Sequence, residues 1–189
     1  MMRLSPASAV VLFIAISSQA ADMPLMDSML YADSLRAVLG LPATHVEFDT
    51  DGALVAISGQ GDFNDSMAQS LTVFPRLREL RIDAPHLTTA GFQAIGKRMS
   101  LEVLSVLCSG IANEDIRMLA ALPKLSYLEI SNTPAGESYG RSLLTDEAVP
   151  HLAKCKSLKT LVLSNTGISA RGVERLKELL PNTNIDIDQ

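Results

Sequence analysis

Hydrophobic positions along this chain recur in short bursts at a fixed spacing. Residues 77–82 (LRELRI), 101–106 (LEVLSV), 125–130 (LSYLEI) and 158–163 (LKTLVL) each place aliphatic side chains at the first, fourth and sixth positions. Leu77, Leu101 and Leu125 begin units 24 residues apart, and Leu158 follows Leu125 after 33. The excess of nine is an insertion, 134–142 (PAGESYGRS), whose Pro and Gly residues break the pattern. A degenerate copy lies at 54–58 (LVAIS), and Ile185 with Ile187 begins a truncated last one. Apolar residues two apart place one face of a strand in a core and the other outside it.

The second half of each unit carries a different period. Phe63, Leu87, Ile111, Leu144 and Ile168 are each followed by a residue suited to begin a helix: Asn64, Thr88, Thr145 and Ser169 as N-caps, with Asn113 serving where Ala112 cannot. Apolar residues then come three apart, as in Ile116, Leu119 and Leu122 or Val173, Leu176 and Leu179, which puts them on one face of a short helix. Gly91 and Gly172 fall at the same early helical position. Pro150 is a misfit in its unit and predicts a late or irregular helix start.

One such unit cannot bury its own apolar face, whereas stacked units share a continuous core. The pattern LxxLxLxxT, an Ile-Thr-x-x-Gly-like turn and LxxLPxL, clearest at 158–181, resembles the leucine-rich repeats of ribonuclease-inhibitor-like, F-box-associated and exported bacterial proteins. The resemblance covers residues 53–189 and implies an α/β solenoid with parallel strands on its concave face and helices on its convex face. No F-box motif precedes the repeats, so a ubiquitin-ligase role is not implied. Residues 21–52 are expected to form an N-terminal cap, with a helix over 25–41 and a strand over 45–48. Asp51-Gly52 between that strand and 54–58 predicts a hairpin turn.

Residues 1–20 have the marks of an export signal: Arg3, the apolar run 9–16 (AVVLFIAI) and the small residues Ser18 and Ala20. The run is too short to span a bilayer. Cleavage after Ala20 would leave a periplasmic or secreted protein without stable membrane insertion. A buried N-terminal helix is the alternative reading of the same stretch.

Composition removes several classes. The net charge is -5, there is no Trp, and no dense basic run exists to offset nucleic-acid phosphates. His45, His86 and His151 stand in different units without metal-ligand spacing. The acidic turn from Glu47 would need a carboxylate at its twelfth position for a calcium loop, where Ser58 stands. No nucleophile elbow or complete dinucleotide loop is present. No catalytic residue, cofactor or metal is therefore expected, and the chain is not read as an enzyme. Cys155 takes a core position, held elsewhere by Leu122 and Phe74, while Cys108 aligns with Asn132 and Asn165 beyond the strand. Opposite ends of the strand layer predict two free thiols rather than a disulfide.

The remaining candidate is the strand face turned away from the helices. There the units place Val103, Leu107, Tyr127 and Val162, with Glu129 beside them, and the insertion adds Tyr139 and Arg141. Apolar residues rimmed by polar ones mark interaction sites, although short repeat proteins carry some aliphatic residues on their sheets in any case. The function expected is binding of a protein partner by a monomer or weakly self-associating chain. The alternative is a structural envelope protein without a discrete site.

Overall fold

A computed structural model describes residues 43–60, 63–108, 111–132 and 144–188. The expected signal segment, the 25–41 helix and the 134–142 insertion, with Tyr139 and Arg141, lie outside the described residues. Among the described residues, seven strands form one sheet in chain order: β1 (Ala43–Phe48), β2 (Leu54–Gln60), β3 (Glu79–Asp83), β4 (Val103–Cys108), β5 (Tyr127–Asn132), β6 (Thr160–Ser164) and β7 (Asn184–Asp188). β1 runs antiparallel to β2, and each later pair is parallel. The β1–β2 turn holds Gly52 at φ 74°, a left-handed conformation that glycine adopts without a Cβ clash. Asp49 closes the turn by accepting from the amides of Asp51 and Ala53, and Arg76 reaches across from the next connection to both Asp49 and Asp51.

Short helices alternate with the strands: α1 (Asp65–Ser70), α2 (Thr89–Ile95), α3 (Asn113–Leu119), α4 (Val149–Leu152) and α5 (Ala170–Leu179). Each helix packs on the next along the row. The strand register puts Leu80, Leu104, Leu128 and Leu161 side by side, and Ile82, Val106, Ile130 and Leu163 likewise. All eight are buried in one hydrophobic core with Phe92, Ile95, Ile116, Leu119, Leu152 and Leu176 from the helices. The first-position leucines, Leu54, Leu77, Leu101, Leu125 and Leu158, are buried as well. Their carbonyls carry a hydroxyl ladder: Ser100 donates to Leu77 (2.7 Å), Ser157 to Leu125 (2.7 Å) and Thr183 to Leu158 (2.8 Å). Hydroxyls thus satisfy carbonyls where the regular sheet begins.

A second ladder joins the helix starts. Asp65 accepts from the amide and hydroxyl of Thr88, and Asp146 does the same for Ser169, at 2.7 and 2.6 Å. Asn113 accepts from the Thr145 amide (2.9 Å) and donates to its hydroxyl (3.0 Å). The Ser169 contacts hold the Asp146 carboxyl below the ordinary aspartate range. This overturns the expectation that Asn113 caps its own helix. Ala112 is the residue before α3, its amide is taken by Asp115 Oδ2 (2.8 Å), and Asn113 serves the following unit. Pro150 sits in the first turn of α4, after a 3-10 turn over Asp146–Ala148, so the irregular start read from the sequence is present.

Candidate functional site

Alternate residues of the strands emerge on the face opposite the core. The register arranges them in rows that cross the sheet. One row runs Glu79, Val103, Tyr127, Thr160; the next runs Arg81, Ser105, Glu129, Val162, Asp186; a third runs Asp83, Leu107, Ser131, Ser164. All are partly or fully exposed, against the near-complete burial of the residues between them. The sequence alternation therefore sorts inward from outward positions correctly.

The rows also separate residues that the sequence had grouped. Val103 and Tyr127 are direct neighbours, but Val162 stands beside Glu129 and Leu107 lies between Asp83 and Ser131. Four apolar residues on one face are thus interleaved with polar ones. Strand pairing decides this, because adjacency across a sheet depends on register rather than on composition.

At the centre of the face a polar cluster forms instead. The Tyr127 hydroxyl donates to Glu129 Oε2 (3.1 Å), and the Ser105 hydroxyl donates to the same oxygen (2.8 Å). The Arg81 guanidinium lies 5.3 Å from the centre of the Tyr127 ring, within cation–π range. Arg81 also stands 3.8 Å from Glu79, a loose pair. Desolvation raises the Tyr127 pKa, as do the bond to and charge of Glu129, while Arg81 opposes them. Tyr127 therefore stays a neutral donor at physiological pH, with its ring held between a cation on one strand and a carboxylate on its own. Ser58, Arg81, Asp83, Ser105 and Leu107 line an adjoining shallow groove of about 380 Å³. Arg81 and Ser105 are not among the site residues that the sequence pattern singles out. Their part depends on contacts that reach from Ser105 to the next strand and from Arg81 across an intervening one, which no local pattern reports.

The remaining candidates fall elsewhere. His45 and His86 are exposed, and His45 Nε2 is 3.2 Å from Glu47 Oε1. His151 is half-buried, with its Nδ1 enclosed and unpartnered. Cys155 is a free, buried thiol whose pKa burial pushes up to about 11, so it is protonated and unreactive at neutral pH. Among the described residues, no three His, Cys, Asp or Glu side chains are grouped to hold a metal ion. No described helix is long and apolar enough to cross a membrane.

The fold and face define a class: an α/β protein with a mostly parallel sheet whose strands follow chain order, and a patterned open face. No family model and no curated protein matches the sequence. Among the solved structures that match, "Crystal structure of PEPR1-AtPEP1" aligns with 76% of this chain and 19% of that chain, at 14% identity and a TM-score of 0.42. The chain thus spans about a fifth of the matched chain's length. A likeness this slight carries no functional information.

Proposed function

We propose that this chain is an exported leucine-rich-repeat binding module that engages a protein partner through the open face of its sheet and the 134–142 insertion. The repeat spacing and the strand-by-strand register support the solenoid reading. The apolar run 9–16 and the small residues up to Ala20 support export. One observation carries the binding reading. Tyr127 is held in place on an otherwise accessible face, its ring beside Arg81 and its hydroxyl on Glu129. Tyr and Arg are enriched at interface hot spots, and a side chain already fixed loses little entropy on binding.

Replacing Tyr127 with Asp and Leu107 with Lys, both on the outward side, should abolish capture of the native partner from envelope or secreted fractions. The circular dichroism spectrum and unfolding midpoint should be retained. Undiminished capture by the folded double variant would overturn the reading.

A second reading, a repeat protein that serves assembly, has one observation in its favour. Among the described residues β7 pairs with β6 alone, and its Ile185 and Ile187 are only partly buried. Concentration-dependent association in sedimentation, lost when β7 is altered, would select it.

A further inference from the structure

The open face has a charge imbalance that bears on what it can accept. Its rows carry Glu79, Asp83, Glu129 and Asp186, and the β1 end adds Glu47, which lies 3.2 Å from His45. Among the described residues of these rows, Arg81 is the one Lys or Arg side chain. It is already engaged with the Tyr127 ring and loosely with Glu79. Glu129 is the central carboxylate. It is partly buried between Ser105 and Val162 in the register, and its two hydrogen-bond donors, Ser105 and Tyr127, are both neutral hydroxyls. A half-desolvated carboxylate solvated by hydroxyls gains more from an incoming cation than one exposed to water, because the local dielectric is lower. The flat Tyr127 ring beside it offers a surface for the aliphatic stem of the same side chain.

Resting on the binding function proposed above, we infer that the partner segment is basic and extended. One of its Lys or Arg side chains seats on Glu129 against Tyr127, and the flanking positions are drawn by Glu79 and Asp186. An extended segment suits the site because the rows cross strands on an open face rather than enclosing a cavity. The net charge of -5 favours encounter with such a segment, but the Glu129 position supplies its register.

A displayed library of random 12-residue peptides, selected against the full chain in physiological salt, tests the inference. Enriched peptides should be rich in Lys or Arg, and their affinity should fall about tenfold with Glu129→Gln, the expected scale for one charge-assisted contact. Glu174→Gln, on the outer helix α5, makes the same change in net charge and should alter affinity less than about twofold if the effect is local. Equal losses from the two variants would reduce the effect to bulk charge and overturn the inference. Enrichment of neutral or acidic peptides whose binding is lost with Tyr127→Ala would overturn the basic partner while leaving the binding face intact. Peptides insensitive to both Tyr127→Ala and Glu129→Gln would overturn both readings.

Discussion

An alanine at position 172 would bring its Cβ against Oδ1 of Asp146 and within 2.8 Å of Ile168 Cγ2. The same holds at Gly91, where Asp65 Oδ1 would stand 2.5 Å away. At these two glycines the carboxylate of the preceding unit, reaching the next helix cap, takes the space a Cβ would fill. The neighbouring unit inverts the arrangement. Thr89 stands where Asp65 and Asp146 stand, and Asp115 at the glycine position satisfies the Ala112 amide from within its own helix. Its second oxygen is buried and unpartnered. Gly172→Ala should therefore destabilise the fold by about 1–3 kcal/mol, an overpacking cost that outweighs alanine's better helix propensity. The loss should shrink in an Asp146→Ala background, because the carboxylate is then gone. A double-mutant cycle by chemical denaturation measures the coupling, and strict additivity would refute this role for the glycine.

At the scale of the element, Pro150 shows how a local misfit can be absorbed. Proline costs stability inside a helix because it lacks an N–H and its ring meets the preceding turn. Here the helix begins late. The Asp146 carbonyl accepts from Val149, so no acceptor is left waiting for position 150. Pro150→Ala is expected to change stability by less than about 0.5 kcal/mol, within the range of neutral surface substitutions. A shift in the denaturation midpoint worth several times that would show that the proline sets the 3-10 turn. The helices themselves are short, between four and ten residues, too short to persist alone. Packing on the sheet and the side-chain bridges between their starts hold them.

Across the whole molecule, each unit is buried by its neighbours, so stability should depend on position in the row. Leu104 lies in the middle of the sheet with no exposed surface, whereas Ile187, on the edge strand, is only partly buried. Leu104→Ala should cost about 2–5 kcal/mol, the usual range for a sealed core leucine. Ile187→Ala should cost clearly less, because its site can relax toward solvent. Urea titrations of both variants check this, and equal losses would show that β7 is sealed as tightly as the centre.

The sequence alone determined the order of the elements and the face each strand residue takes. Aliphatic residues two apart in strands and three apart in helices are local signals, and burial of one face is the local energy they report. The hairpin turn at Asp51-Gly52, the core place of Cys155 and the irregular start at Pro150 follow from the same register. Tertiary structure decided which outward residues meet. Val162 is separated from Leu107 by one row and Tyr127 joined to Arg81 across an intervening strand, because adjacency is set by pairing between units. It also decided that Asp65, Asn113 and Asp146 serve the next unit's helix rather than their own. Those bonds span 23 or 32 positions, and no pattern within one unit encodes a partner in the next.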